Sequence, residues 1–187
     1  MRRRVSSSSH FLATSGDRYF LPSAPKVEVA YLGLGSNLGD RAGNLWGAVE
    51  RLAALRGTRI LSLSPLYESE PVGPVDQPWF LNAIVAVATE LSPVDLLRDA
   101  KAIERQMGRL PSERWGPRLI DIDLIFVGEV VLETEELILP HPELWNRQFV
   151  LRPLGDVLPG GGLHDRVDER LDQIGERPVV RRFDGSV

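Results

Sequence analysis

The sequence has no cysteine among its 187 residues, and it has only three histidines. The first absence excludes disulfide bonds, a thiolate nucleophile and zinc sites built on cysteine, and it suits a cytoplasmic protein. The second leaves little room for a metal site made of histidines. No apolar run reaches the roughly 20 residues that a membrane-spanning helix needs, so we expect no association with a membrane.

The sequence also lacks an excess of positive charge, because its formal net charge is -4. Residues 1–26 are basic, so the rest of the chain is more acidic than this total. Binding to nucleic acid depends on a basic surface that neutralises phosphates. We therefore expect no nucleic-acid partner, and a phosphate-bearing ligand would have to meet arginines that are clustered locally.

The length of the chain allows one domain with a proper hydrophobic core, and we expect residues 26–187 to form it. Residues 1–25 combine arginines, a run of serines and two prolines, and we interpret them as a flexible leader. The alternatives for this segment are a transit peptide, a misassigned start codon and the remnant of a fusion partner.

Hydrophobic periodicity divides the remaining chain into strands and helices. It predicts strands at residues 27–34, 59–67, 80–89 and 119–127, and helices at residues 41–55 and 93–107. The order β-α-β-β-α-β predicts an α+β, ferredoxin-like fold with an antiparallel sheet and both helices on one face. The expected extra C-terminal elements are a short strand at 129–132, an extended segment at 138–142, a turn at 143–147, helices at 149–157 and 167–174, and an edge strand at 178–183.

A glycine-rich segment, residues 33–40, follows the first predicted strand. Its glycine spacing differs from that of the dinucleotide-binding fingerprint, and no P-loop lysine follows it. We interpret the segment mainly as a turn that leads into a helix capped by Asp40. Close approach of the backbone to a ligand is a second reason for glycine at such positions.

Asp121 and Asp123 are the residues that point most directly to chemistry. In a strand they lie on one face, with Cα atoms roughly 6.5–7 Å apart. Two neighbouring carboxylates repel each other, and Mg²⁺ would relieve this repulsion because it binds oxygen ligands. Arg114 and Arg118 stand just upstream, and carboxylates for a metal beside guanidiniums for phosphate are typical of phosphoryl transfer. The alternative is that both aspartates are solvated on an edge strand and pair with these arginines.

Three other features are candidates for ligand binding. Asn82 is an amide within an apolar strand, where it either satisfies a neighbouring backbone group or recognises the polar edge of a flat heterocycle. His141 stands rigidly between two prolines, where a structural role is the alternative. Residues 109–118 are rich in arginine and have the composition of a mobile loop that closes over an anion.

Several motifs then occur together in one order. They are Gly35-Ser-Asn-Leu-Gly39, Pro71-Val-Gly-Pro74, Asp76-Gln-Pro78, Phe80-Leu-Asn82, Arg114-Trp-Gly-Pro-Arg118, Asp121-Ile-Asp123, Pro140-His141 and Asn146-Arg147. With these motifs the chain strongly resembles the 6-hydroxymethyl-7,8-dihydropterin pyrophosphokinase family of folate biosynthesis, over about residues 27–160. The resemblance implies a ferredoxin-like fold and transfer of a diphosphoryl group from ATP to the pterin hydroxymethyl group, with release of AMP.

The resemblance also implies roles for individual residues. Asp121 and Asp123 would hold two Mg²⁺ ions, and Arg109 and Arg118 would complete the catalytic set. The implied ATP-binding residues are Lys101, Glu104, Arg114, Trp115, Arg118, His141 and Arg147. The implied pterin-binding residues are Ser69, Val72, Phe80, Asn82 and Phe149, with the two phenylalanines on either side of the ring.

The sequence departs from the family pattern at two places. Phe80 replaces an aromatic residue that often carries a hydroxyl group, and the loop after Gly108 is one residue short and lacks a second basic residue. Two alternatives to the enzyme remain at this point: a non-catalytic ferredoxin-like module that binds nucleotide or pterin for regulation, and a nucleic-acid-binding module, which the acidic charge disfavours. We expect the protein to be a monomer whose partners are the small molecules pterin and ATP.

Overall fold

The computed structural model describes residues 26–73, 76–109, 116–175 and 178–185. The predicted leader, residues 1–25, lies outside these ranges, and so do Arg114 and Trp115. Within the described ranges no helix is both long enough and apolar enough to cross a membrane.

Eight strands and four α-helices alternate along the described chain. The strands are β1 (Glu28–Ser36), β2 (Thr58–Leu63), β3 (Tyr67–Ser69), β4 (Phe80–Thr89), β5 (Asp121–Val127), β6 (Leu132–Glu133), β7 (Ile138–Leu139) and β8 (Val180–Arg182). The helices are α1 (Arg41–Ala53), α2 (Pro93–Gln106), α3 (Gln148–Val157) and α4 (Gly162–Gln173), with a 3₁₀ turn at Leu144–Asn146.

The main sheet is antiparallel and has the strand order β5-β1-β4-β3-β8, while β2 pairs with the far end of β4. The predicted single strand at 59–67 is therefore wrong, because it divides into β2 and β3. The chain leaves the ladder at Ser64, whose Oγ accepts a hydrogen bond from the Ile84 amide at 2.9 Å. Pro65 follows and has no N–H to donate, so the pairing with β4 resumes only at Tyr67.

The two faces of the sheet carry different helices. α1 and α2 pack on one face over a core that includes Leu32, Leu34 and Val85. α3 and α4 pack on the opposite face, over Tyr31 and Ile84. The prediction of helices on one face is thus right for α1 and α2, whereas the C-terminal helices cover part of the other face because alternate residues of β1 and β4 are apolar on both sides.

The predicted helix caps are present. Ser92 Oγ accepts a hydrogen bond from the Asp95 amide, with Pro93 in the first turn of α2, and Asp40 accepts one from the Gly43 amide at 2.9 Å. α1 ends two residues before the predicted boundary, and α4 begins five residues before its own. The short strand predicted at 129–132 lies instead at Leu132–Glu133, where it can pair with β7.

Candidate active site

A cavity of about 340 Å³ opens on the sheet face that carries α3, beside that helix. Ten of the residues predicted from the sequence line it. They are Ser69, Val72, Phe80, Asn82, Arg118, Asp121, Asp123, His141, Arg147 and Phe149. Residues that are distant in the chain therefore share one cavity, as the resemblance implied.

The floor of the cavity consists of two rows of residues across three strands. In one row Asn82 of β4, Gly35 of β1 and Asp121 of β5 are partners in the ladder. In the next row the partners are Ile84, Gly33 and Asp123. Neighbouring strands are about 4.8 Å apart, so the backbones of Asn82 and Asp121 are separated by about 10 Å.

Gly33 and Gly35 keep this floor open because they carry no side chain. A Cβ atom on Gly35 would lie 3.5 Å from Asn82 Oδ1, and one on Gly33 would lie 3.3 Å from Ile125 Cδ1. Both glycines belong to β1. This confirms the predicted strand at Gly33, whereas the interpretation as a turn is wrong for Gly35. The position of the two glycines fits the second reason given for them, which is that the backbone leaves room for a ligand.

Asp121 and Asp123 face the cavity, while Ile122 and Leu124 point into the core on the other face. The Asp121 side chain is 17% exposed and that of Asp123 is 38% exposed. β5 is an edge strand, as the solvated alternative assumed. Asp121 is nevertheless recessed, so simple solvation does not account for it. The pairing with Arg118 that this alternative also assumed is present.

Three cations surround Asp121. Arg109 Nη1 lies 2.5 Å from Oδ1, Arg118 bonds Oδ2, and Lys101 Nζ is 3.8 Å from Oδ1. Burial raises the pKa of Asp121, but the charges of Lys101, Arg118 and Arg109 outweigh this effect and lower the pKa below its ordinary value. The carboxylate is thus ionised at neutral pH and available to a cation.

Two carboxylates are a suitable but incomplete ligand set for Mg²⁺. This ion prefers oxygen and keeps several positions for water or for substrate phosphates. Within the described residues, no group of three or more His, Cys, Asp or Glu side chains could hold a metal. The donor set around Asp121 and Asp123 therefore fits Mg²⁺ that arrives with a phosphate-bearing ligand, and does not resemble an all-protein cage.

Lys101 and Glu104 extend from α2 to the free edge of β5. Glu104 Oε1 accepts a hydrogen bond from the Ile122 amide at 2.6 Å, and Lys101 donates to the Ile122 carbonyl at 2.8 Å. Burial lowers the pKa of Lys101, but Asp123, Asp121 and Glu104 raise it further, so the net shift is upward. These two side chains satisfy the backbone between the aspartates as a neighbouring strand would.

Glu104 itself is 4% exposed and lies behind the aspartate strand, not at the cavity. It also meets Arg109 Nη1 at 2.5 Å. The resemblance implied that Glu104 binds ATP, and it did not predict this buried supporting position behind β5. The available signal was its spacing, because Glu104 follows Ala100 by four residues and thus falls on the apolar stripe of α2.

His141 and Arg147 enter the cavity from the segment between β7 and α3. The His141 amide donates to the Ile125 carbonyl at 2.7 Å, and His141 Nδ1 accepts from the Glu143 amide at 3.1 Å. Burial lowers the pKa of His141, and this effect outweighs the opposing charge of Asp123. The ring is therefore neutral at pH 7, with its proton on Nε2.

The opposite half of the cavity is formed by uncharged side chains. Asn82 Nδ2 donates to Ser69 Oγ at 2.9 Å and to the Tyr67 carbonyl at 3.3 Å. Phe80 and Phe149 also line this half. The amide is thus held by neighbouring groups, as the first alternative for Asn82 required, and it also faces the cavity, as the second required.

Asn37 joins the two halves, and the sequence did not single it out. Its Nδ2 donates to Gln77 Oε1 at 3.0 Å and to the Pro78 carbonyl at 3.1 Å. Its Oδ1 accepts from the Arg118 amide at 2.7 Å. The signal was its place in the motif Gly35-Ser-Asn-Leu-Gly39, directly after the end of β1.

The model of the family "7,8-dihydro-6-hydroxymethylpterin-pyrophosphokinase (HPPK)" matches residues 31–159. The chain belongs to this family. Membership makes it a pterin pyrophosphokinase of folate biosynthesis with ATP as co-substrate, which confirms the predicted activity. The non-catalytic alternative is not favoured.

Named relatives agree with the family. The 2-amino-4-hydroxy-6-hydroxymethyldihydropteridine pyrophosphokinase of Methylorubrum extorquens is 50% identical over 130 residues, which are 70% of this chain and 82% of the relative. The enzyme of the same name from Pseudomonas aeruginosa is 42% identical over 139 residues, 74% and 86% of the two chains. The folic acid synthesis protein fol1 of Schizosaccharomyces pombe is 40% identical, and the match covers 89% of this chain but only 23% of that protein.

Solved structures confirm the fold. A Plasmodium falciparum HPPK-DHPS crystallised with pterin and p-hydroxybenzoate superposes with a TM-score of 0.61 at 19% identity. The match covers 89% of this pyrophosphokinase chain and 49% of the Plasmodium chain, so the chain spans about half of that larger protein. The ferredoxin-like architecture predicted from the order of elements is thereby confirmed.

Proposed function

We propose that the cavity is where the diphosphoryl group of ATP passes to the hydroxymethyl group of 6-hydroxymethyl-7,8-dihydropterin, with Mg²⁺ held by Asp121 and Asp123. The observation that carries this proposal is the row in which Asn82 and Asp121 flank Gly35 on the cavity floor. An acceptor held at Asn82 would lie across an open floor from phosphates held at Asp121.

The aspartate side is the proposed donor half. Asp121 and Asp123 would hold Mg²⁺, for which we propose two ions, and the metal would supply positive charge against the phosphates of ATP. Arg118, His141 and Arg147 would contact the phosphates, a role supported by their place in the lining of the cavity. Lys101 and Glu104 would serve ATP by holding the aspartate strand in place, which their bonds to Ile122 support.

The loop that contains Arg109 would close over the phosphates. This role is supported by the hydrogen bond that Arg109 Nη1, at the start of the loop, donates to Asp121 Oδ1. Its guanidinium would exchange the carboxylate for a phosphate oxygen when the metal arrives, since both are anionic partners for a planar fork. We propose that Arg114 and Trp115, which the resemblance implied as ATP-binding residues, contribute to phosphate binding and to ordering this loop.

The uncharged side is the proposed acceptor half. Asn82 would bind the donor–acceptor edge of the pterin, and Phe80 and Phe149 would lie against its two faces. Ser69 and Val72 would complete the wall. A flat ring with polar edges needs this combination of apolar surface and a small number of placed polar groups.

Transfer of a diphosphoryl group requires that the two substrates are positioned and that the phosphate charge is neutralised, and it requires no protein nucleophile. The substrate hydroxyl attacks the β-phosphorus of ATP, the bond to the α-phosphate oxygen breaks, and AMP leaves. Arg118 and Arg109 would stabilise negative charge that develops on the transferred group, as other fixed cations do in phosphoryl transfer.

A direct assay tests this proposal. Purified protein would receive ATP, Mg²⁺ and 6-hydroxymethyl-7,8-dihydropterin, and the products would be separated by chromatography. We expect AMP and the pterin diphosphate in equal amounts, with no AMP when EDTA replaces Mg²⁺ or when the pterin is omitted. Formation of ADP, or of AMP without a divalent metal, would contradict the proposal.

The remaining proposals concern the chain as a whole. We propose that residues 26–187 form one catalytic domain, which the pairing of β8 with β3 supports, and that residues 1–25 take no part in catalysis. We also propose a cytoplasmic monomer, since one chain supplies both halves of the cavity. Light scattering of the purified protein, and kinetics of a variant that begins at residue 26, test these points.

A further inference from the structure

Four residues form a cluster behind the acceptor half, on the sheet face opposite the cavity. They are Arg41, Glu68, Trp79 and Arg181, and we call them the rear clamp. Each comes from a different part of the fold: the start of α1, β3, the residue before β4, and β8. β8 lies after residue 159, beyond the segment that the family model matches.

Arg41 ties together the two strands that build the acceptor wall. Its Nη1 donates to the Trp79 carbonyl at 2.9 Å, and its Nη2 donates to Glu68 Oε1 at 2.8 Å. Ser69 directly follows Glu68, and Phe80 directly follows Trp79. One guanidinium therefore fixes the distance between the two segments that place Ser69 and Phe80 in the cavity.

Arg181 closes the cluster from the C-terminal strand. Its Nη2 and Nε donate to Glu68 Oε2 at 2.8 and 3.2 Å, and its guanidinium lies 5.0 Å from the centre of the Trp79 ring. Both oxygens of Glu68 are thus occupied by arginines from elements far apart in the chain. The Glu68 side chain is only 13% exposed, whereas that of Arg181 is 65% exposed, so the Arg181 bonds join a recessed carboxylate to a cation at the protein surface.

The link from the clamp to the pterin half passes through adjacent residues. Ser69 Oγ, one residue from Glu68, accepts the hydrogen bond from Asn82 Nδ2. A shift of β3 relative to β4 would therefore turn or release the Asn82 amide. The donor carboxylates lie on β5, two strands away from β4, and among the described residues no clamp side chain bonds to them. The two halves are connected by Asn37, which bonds the Pro78 carbonyl, next to Trp79, and the Arg118 amide.

We propose that the rear clamp positions the acceptor wall, so that the C-terminal strand β8 sets the affinity for pterin and leaves the affinity for ATP unchanged. The inference rests on the proposed function, because it takes the Asn82 half of the cavity as the pterin site. Arg41, Glu68 and Arg181 are positioning residues, since none of them touches the proposed substrate.

The chain offers a matched pair of variants for the test. Arg181 and Arg182 are neighbours in β8 with side chains that are 65% and 63% exposed, but Arg182 pairs with Asp156 of α3 and not with the clamp. In the full chain, we expect Arg181→Ala to raise the KM for pterin by about fivefold or more. The KM for ATP and kcat at saturating pterin should stay within about twofold of wild type, and Arg182→Ala should change none of the three.

Thermal unfolding and three further variants make the outcome decisive. Arg181→Lys keeps one charged donor and should restore part of the pterin KM. A folded Arg181→Ala protein with the wild-type pterin KM, or with equal increases in both KM values, overturns the inference. Should Arg181→Ala unfold, Glu68→Gln is subject to the same criteria. Asn82→Ala must raise the pterin KM as well. If Asn82→Ala raises the pterin KM and the clamp variants do not, only the inference about the clamp is contradicted. If Asn82→Ala does not raise the pterin KM, the assignment of the pterin site is contradicted, and so is the inference that rests on it.

Discussion

The two halves of the cavity are built on different principles. The donor half gathers Asp121 and Asp123 with three cations, Lys101, Arg109 and Arg118, around the edge of β5. The acceptor half is uncharged, and its central group, Asn82, is held by a serine hydroxyl and a backbone carbonyl. In the proposed function, a charged ligand would be met by charges that can exchange partners, whereas a flat neutral ligand would be met by side chains that are already held in place.

The separation of the halves follows from the glycines of β1. Gly33 and Gly35 stand between β4 and β5, so each half occupies its own strand and no side chain fills the floor between them. Disturbing one strand should therefore change one substrate's kinetics more than the other's. The following predictions test that independence, from the largest expected effect to the smallest.

The largest effect is expected from Glu104, the buried support of the donor half. Glu104→Ala leaves Lys101 and Arg109 with one carboxylate fewer and leaves the Ile122 amide without its acceptor. Loss of a buried partner lowers the free energy of unfolding by about 3–5 kcal/mol. Because Lys101 and Arg109 are partly exposed, we expect a loss of about 3 kcal/mol here. Urea unfolding measures the loss. The control is Glu169→Ala, at an exposed position of α4, and its stability should stay within about 0.5 kcal/mol of wild type. Equal stability of the two variants would contradict the assigned role.

Arg118 tests the charges of the donor half at the cavity itself. Removing one group that stabilises the transferred phosphate should cost about 2–4 kcal/mol in kcat/KM for ATP, if it resembles the loss of an oxyanion-hole donor. Arg118→Ala measured beside Arg98→Ala, whose side chain is exposed on α2, gives the comparison. An effect confined to a higher KM for pterin would contradict the placement of Arg118 in the donor half.

Gly35 tests the open floor between the halves. A Cβ at this position meets Asn82 Oδ1 at 3.5 Å and Phe80 Cδ1 at 3.8 Å, which are ordinary contacts, so the fold should tolerate alanine. The added methyl group would nevertheless occupy space that the acceptor needs, and we expect kcat/KM to fall by about tenfold, roughly 1.4 kcal/mol. Gly155→Ala in α3, with a similar contact at 3.7 Å outside the cavity, should leave turnover unchanged.

The smallest effect concerns acid stability on the acceptor side. Burial raises the pKa of Glu68, but hydrogen bonds from Arg181 and Arg41 outweigh it and lower the pKa below its ordinary value. A carboxylate with a lowered pKa adds stability above its unfolded-state pKa, and this stability is lost as the pH falls through the folded-state value. Wild type should therefore lose more stability than Glu68→Gln between about pH 5 and pH 3. Thermal unfolding of both proteins across this pH range measures the difference. If the stabilities of wild type and Glu68→Gln fall in parallel as the pH is lowered, the prediction is contradicted.

The sequence predicted the parts of the molecule whose causes are local. Ser92, Pro93 and Gly108 mark the ends of α2, and a nearly continuous apolar run marks β4 with the bounds that the structure shows. Asp121 and Asp123 were recognisable because two carboxylates on an apolar strand are costly unless something binds them. The motifs then identified the family, and the resemblance they carried named ten of the residues that line the cavity.

The parts that the sequence did not predict depend on distant partners. The division of β2 from β3 depends on Ser64 bonding to Ile84, and the support from Glu104 depends on β5 lying beside α2. Asn37 is one polar residue in a loop until the fold brings Pro78 and Arg118 to it. Such roles arise from tertiary contacts, which no local pattern of residues specifies.

Asp121→Asn gives the most direct test of the central claim, that a metal-binding aspartate faces a separate pterin site across one cavity. This change keeps the shape of the side chain and removes its charge, and Asp172→Asn on exposed α4 is its matched control. AMP release should fall by at least about 100-fold in the Asp121 variant, while the KM for pterin measured on the residual activity stays within about threefold of wild type. Near-normal AMP release from a folded Asp121→Asn protein would contradict the account.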